Sequence, residues 1–215
     1  MDIMNAIKKP FTDGKKFLIG FLLGIIPIVN FIVVGYGLEV IRNTLGNSKK
    51  LPEWKNYGDK FVQGLLAAII GALYAVPFGI VAAIFLGVPV MLQIISVAQT
   101  GMMDLSIFSG MGVILVLLAV IAVITVLLQR AAVVRYAEKK KFSSAFDFSV
   151  VFKKAFSGKF ISAVIVSTIY GLVLGIVSLV FPKIFGMAFV ISGLIGYLVV
   201  VTGNTLLAEG YKAAK

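Results

Sequence analysis

Few side chains in this 215-residue sequence have the chemistry to form a site. Glu39 and Arg42 stand three apart in an otherwise apolar run, a spacing that lets a carboxylate and a guanidinium meet on one helical face. Such a pair either neutralises two charges near a membrane surface or forms a site within the apolar phase, and neutralisation is the simpler reading. Asn30, Gln63, Gln93, Asn204 and Glu209 complete the set of polar residues in or beside apolar stretches, where the cost of burial makes each a candidate. Asn30, close behind Pro27, is placed to cap a helix; with Gln93 and Asn204 it would instead line a polar pathway. No acid dyad and no basic residue lies in the middle of an apolar run, which argues against an ion-coupled transporter.

Other chemistries are closed off by composition. The sequence has no His and no Cys, so thiol nucleophiles, disulfides, imidazole bases and the usual zinc sites are excluded. Neither a G-x-x-x-x-G-K-S/T loop, nor H-E-x-x-H, nor G-x-S-x-G occurs. The expectation is a protein without enzymatic activity, metal or cofactor.

The elements that carry these residues are membrane helices. Hydrophobic residues make up 60% of the chain and mean hydropathy is +1.07, whereas soluble domains use about 45–50% apolar residues. No polar stretch is long enough to bury a core of its own, so residues 1–215 read as one integral membrane domain. The apolar run at 17–41 is interrupted by Pro27 and flanked by basic residues at both ends. It reads as a re-entrant hairpin with arms 16–26 and 28–45, the alternative being one kinked span. Four full spans follow, at 61–86, 111–129, 161–181 and 184–207, with residues 87–99 as a helix on the far side. The first apolar run is too long for a signal peptide and has no A-x-A-like site behind it, so it is expected to be retained.

Two basic, aromatic segments lie between the runs and read as amphipathic interfacial helices. In residues 47–64, Pro52 suits a first helical turn, and Trp54, Tyr57 and Phe61 share a face. In residues 133–160, Ser144 and Asp147 have capping-box spacing and Gly158 is a natural stop. Between them Phe148, Phe152, Phe156 and Phe160 recur every four residues beside Lys153, Lys154 and Lys159. Lys139, Lys140 and Lys141 precede them. Under this topology 19 of the 20 basic residues fall on one side, with Lys183 alone on the other, so the basic loops and the C-terminus are expected in the cytoplasm. The net charge of +11 then points to anionic membrane lipid rather than nucleic acid as partner. Homo-oligomerisation and protein partners are open. A weak parallel repeat is also present: Arg42, Gly64 and Tyr74 recur in kind as Arg135, Gly158 and Tyr170.

The run from Ile25 to Arg42, the block from Leu51 to Gly64 and the SSAFDFSVVFK segment from Ser143 to Lys153 together resemble domain-of-unknown-function family 4013, uncharacterised prokaryotic integral membrane proteins. The resemblance implies a multi-helix domain in the cytoplasmic membrane and carries no activity or site residues with it. The combined expectation is an all-α, multi-pass protein of the cell membrane that binds anionic lipids and acts as a scaffold or assembly factor. A small transporter or channel with a polar pathway between the repeat halves is the alternative.

Overall fold

The computed structural model describes residues 1–103, 106, 109, 111–180 and 187–214. The expectation for Lys183 lies outside the described residues. Every regular element described is helical: α1 (Ile3–Lys8), α2 (Gly14–Ile25), α3 (Asn30–Leu45), α4 (Tyr57–Thr100), α5 (Met111–Lys139), α6 (Phe148–Ala155), α7 (Gly158–Val180) and α8 (Met187–Ala213), with 3-10 turns at Lys9–Thr12 and Phe142–Phe146. Four helices are long and apolar enough to cross a membrane, at Tyr57–Thr100, Met111–Lys139, Gly158–Ser178 and Val190–Ala213. The protein is therefore an all-α protein of membrane type.

The first apolar run breaks at Pro27, where proline lacks an N–H for the helix, leaving a turn between α2 and α3. At 12 and 16 residues the two helices measure about 18 and 24 Å, each short of the ~30 Å apolar core of a bilayer. They return to a common level. The Trp54 Nε1–H, beyond the end of α3, donates to the carbonyl of Lys16 at the start of α2 (2.9 Å), and the Lys16 ammonium reaches the Leu51 carbonyl at 3.1 Å and Glu53 at 2.6 Å.

α8 is the axis on which the bundle packs. Gly20 and Gly24 of α2 lie against Tyr197 and Gly193, Gly37 of α3 lies against Asn204, and Gly210 lies against Ala163 of α7. The α3–α4 crossing is closer still. A Cβ at Gly35 would fall on the Lys60 carbonyl, and one at Gly64 on the Phe31 carbonyl, so two backbones touch where no other residue fits. Around these contacts lie two apolar clusters. One gathers Leu38, Ile41, Ile70, Ala131, Val134 and Phe160; the other is built on Tyr36, stacked on Trp54 at 4.0 Å, with Val33, Tyr197 and Val201. Both clusters draw on the end of the molecule where Lys16, Arg42, Lys60, Arg135, Lys154 and Lys212 congregate, called the basic end below. Away from it the chain opens out. Only 6% of the most apolar part of α4 is buried, 11% of α5 and 17% of α7, against 50% of α8.

Three local expectations give way to tertiary structure. Residues 87–99 continue α4 instead of forming a helix of their own. The single helix of 44 residues, about 66 Å long, accommodates Pro77 and Pro89 internally. In an apolar phase a peptide group released from its helix finds no water, so each proline removes one bond without ending the run. Residues 48–56 are not helical, and α4 starts only at Tyr57, after Asn56 in a left-handed conformation (φ 52°). Leu51, Pro52 and Trp54 are buried, and the Pro52 carbonyl accepts the Tyr36 hydroxyl at 3.2 Å. This segment straps α2 to α3. Finally, Ser144 and Asp147 do not form a capping box. The Ser144 hydroxyl donates to the Lys141 carbonyl at 2.5 Å, and the Asp147 carboxylate is taken by Arg135 at 3.1 Å. Gly158 opens α7 rather than closing α6, and Phe160 is fully buried against Tyr211.

Candidate functional site

α6 presents one face to the interior and one to the surroundings, as its periodicity demands. Val151 and Ala155 are buried, whereas Phe148, Phe152 and Phe156 are 55%, 46% and 46% exposed and form a row on the outer face. Lys153 is exposed beside them, and Lys139, Lys140 and Lys141 are exposed at the end of α5. Lys154 departs from that face: its ammonium turns inward to the carbonyls of Tyr211 (3.4 Å) and Ala214. Behind the row, the Tyr74 hydroxyl donates to the Ala145 carbonyl at 2.6 Å and its ring stacks on Phe146 at 5.9 Å, which anchors the 3-10 turn to α4. The other aromatic triplet does not form a single outer face. Trp54 is only 8% exposed, Phe61 is half-buried against Phe31, and Tyr57 alone lies open.

Glu39 and Arg42 do approach each other, at 3.8 Å, but the shorter contact comes from another helix. Lys60, 2% exposed at the start of α4, reaches Glu39 at 2.8 Å and donates to the Lys55 carbonyl at 2.6 Å. Arg42 in turn donates to Gln63 at 2.9 Å. A carboxylate held by cations from two helices clamps α3 to α4. Glu39 and Arg42 also line an open cavity of about 420 Å³ with Asn43, Leu51, Glu53 and Lys140. Lys60 is the residue that sequence reasoning missed. Its only signal is the glycine four positions on, and the meaning of Gly64 emerges when α3 crosses it.

Further along the basic end, Lys16 holds two exposed carboxylates. Its backbone N–H is the main cause of the Asp13 carboxyl lying below its ordinary range, and its ammonium does the same to Glu53. Arg135 ties α5 to the segment before α6 through Glu138 (2.9 Å) and Asp147 (3.1 Å).

The three amides proposed to line a pathway are apart. Asn30 opens α3, with its Oδ1 buried and without a hydrogen-bond partner among the described residues. Asn204 packs at Gly37, seven residues or about 10 Å further along α3. Gln93 is buried about 40 Å along α4 from the Gly64 crossing. None of them lines the cavity that Glu39 and Arg42 share.

Residues 18–183 match the family described as protein of unknown function, DUF4013. The chain belongs to that family. Among curated proteins, uncharacterized protein MJ1189 of Methanocaldococcus jannaschii is 28% identical over 171 residues, which cover 79% of this chain and 56% of the relative. The chain thus spans about half the length of the curated relative it matches. No solved structure matches significantly. The DUF4013 match takes in the aromatic face of α6 and the Glu39, Arg42 and Lys60 clamp, and stops before α8, the helix on which the bundle packs.

Proposed function

We propose that this DUF4013 protein is a non-enzymatic, multi-pass protein of the cytoplasmic membrane. Its basic end faces the cytoplasm, and its aromatic, cationic face binds anionic lipid and offers a scaffold for assembly. The observation that carries the reading is the exposed row of Phe148 and Phe152 on α6 and Phe156 just beyond it, with Lys153 exposed in the same segment and Lys139, Lys140 and Lys141 exposed at the end of α5. Phenylalanines on one side and ammoniums beside them are what a helix lying in the headgroup layer needs. Each Lys near an anionic surface contributes about 1 kcal/mol, so four together hold lipid firmly. The positive-inside rule supports the orientation, because the basic residues at the ends of α3, α5 and α8 and at the start of α4 all belong to one end of the bundle. On this reading α2 and α3 form a re-entrant hairpin whose arms pack on α8 and α4, with Ile26, Pro27 and Ile28 exposed at its bend.

The test is native mass spectrometry of the protein released from bilayers of mixed phosphatidylcholine and phosphatidylglycerol. The wild type is expected to retain phosphatidylglycerol preferentially, and the triple variant Lys139→Glu, Lys140→Glu, Lys141→Glu to lose most of that preference. Equal retention of the two lipids by the wild type, or an undiminished preference in the variant, would sink the proposal.

A further inference from the structure

Of the three arginines in the sequence, two hold carboxylates: Arg42 approaches Glu39 at 3.8 Å, and Arg135 binds Glu138 at 2.9 Å and Asp147 at 3.1 Å. Arg130 holds none. It is exposed on α5, and no hydrogen bond, ion pair or ring contact engages its guanidinium among the described residues. It lies nine residues, or about 13 Å, inward from Lys139 at the basic end of that helix. Its neighbour Gln129 packs at Gly71 of α4, three residues before Tyr74, whose ring lies 6.4 Å from that of Phe148. Arg130 therefore sits within about one helical turn of the depth at which the aromatic row begins.

The face of α5 that carries Arg130 changes character at this point. Towards the basic end, Val134 and Ala137 are fully buried, in the cluster that also holds Ala145, Val151 and Ala155. Away from it, Val126, Val123 and Val116 are 39%, 60% and 64% exposed. Residues seven apart nearly superpose on a helix, so Val123 and Val116 continue the line of the guanidinium into the apolar phase. Val123 is about 10 Å from Arg130 along the axis, within the ~15 Å that one leaflet gives an acyl chain.

An unpaired guanidinium on a lipid-facing helix is costly. Water satisfies its N–H groups but leaves the charge uncompensated, whereas a phosphate supplies two oxygens in fork geometry together with the opposite charge. A second copy of the chain brings no carboxylate to that depth from its long apolar helices, since Asp59, Glu138 and Glu209 lie within about a turn of the helix ends. Nor is the amine of a zwitterionic headgroup provided for, because Glu138 and Asp147 are held by Arg135. We infer that Arg130 heads a single-lipid site: it pairs bidentately with the phosphate of an anionic phospholipid, one acyl chain of which lies along Val126 and Val123. The inference deepens the lipid-binding reading and rests on its membrane placement, but it moves the specific contact from the lysines at the end of α5 to one residue within the helix.

The absence of cysteine allows a fluorophore on the chain path, at Val123→Cys, in full-length protein reconstituted in phosphatidylcholine. Its quenching is compared for small, equal additions of phosphatidylglycerol and of phosphatidylcholine, each carrying a nitroxide at mid-chain. A second label at Val173→Cys, 52% exposed on α7, reports bulk lipid. The expected result is equal quenching by the two lipids at Val173 and about a fivefold preference for phosphatidylglycerol at Val123, the ratio that ~1 kcal/mol for one cation gives. Arg130→Gln should abolish the preference and leave the Val173 signal unchanged, while the triple lysine-to-glutamate variant should keep more than half of it. Equal quenching at Val123 in the wild type, or a preference that survives Arg130→Gln, overturns the inference. A preference that the triple variant abolishes overturns it too and returns the lipid to the lysine face. Equal quenching here beside a lysine-dependent preference in native mass spectrometry sinks this site alone; no preference in either experiment sinks the lipid-binding reading with it.

Discussion

Lys60 shows how a single residue is fixed by structure that lies outside its own neighbourhood. Its ammonium is nearly inaccessible and rests on Glu39 at 2.8 Å, so removing the carboxylate leaves a cation supported by the Lys55 carbonyl alone. Breaking a buried pair from one side is more costly than removing both charges. Glu39→Gln is expected to destabilise the protein by on the order of 2 kcal/mol, less than for a fully buried pair because Glu39 is partly exposed. Adding Lys60→Met should restore most of the loss. Unfolding of the two variants in neutral detergent decides the point, and a double variant no better than the single one would show that the pair is not the cause. The Glu39–Arg42 contact was legible because three residues of helix bring both side chains to one face. The Lys60 contact was not, since it depends on two backbones meeting at Gly35 and Gly64. Trp54 was misread for a related reason: its type suits a headgroup layer, but the ring stacks on Tyr36 inside the protein.

At the scale of elements, the segment 48–56 replaces an expected helix with a strap, and its grip on α2 is electrostatic. Lys16 binds both Asp13, which caps α2, and Glu53 in the strap. Both carboxyls are lowered in the folded protein, so their contribution is fully present above the ordinary carboxylate range near pH ~4 and is lost as pH falls through the lowered values. Acid unfolding should therefore begin with the release of the strap. It should be visible as increased fluorescence sensitivity of Trp54, the only tryptophan, to an aqueous quencher below pH ~4. In Lys16→Met the quenching should already be high at neutral pH; a quenching profile identical to that of the wild type would remove Lys16 from this role. Proline was an uneven guide at this scale. Pro27 does separate two helices, whereas Pro77 and Pro89 are absorbed within α4, because a backbone surrounded by apolar side chains keeps every helical bond it can.

For the whole molecule, composition and the order of apolar runs were enough to read an all-helical membrane protein, since those properties depend on counting residues along the chain. The central place of α8 was not legible, for its role comes from small residues on three other helices that approach it. The resulting architecture is densely packed at the basic end and open along the apolar halves of α4, α5 and α7, which leaves those halves to lipid. Against this architecture, the outer face of α6 is proposed to lie in the headgroup layer. The absence of cysteine makes a direct measurement simple: a spin label at Phe152→Cys, in full-length protein reconstituted in bilayers containing phosphatidylglycerol, compared for collisions with oxygen and with a water-soluble nickel chelate. Oxygen collisions exceeding those with the chelate, as at the boundary between headgroups and acyl chains, are the predicted result. Chelate collisions as frequent as those of a label on a freely hydrated helix would contradict it.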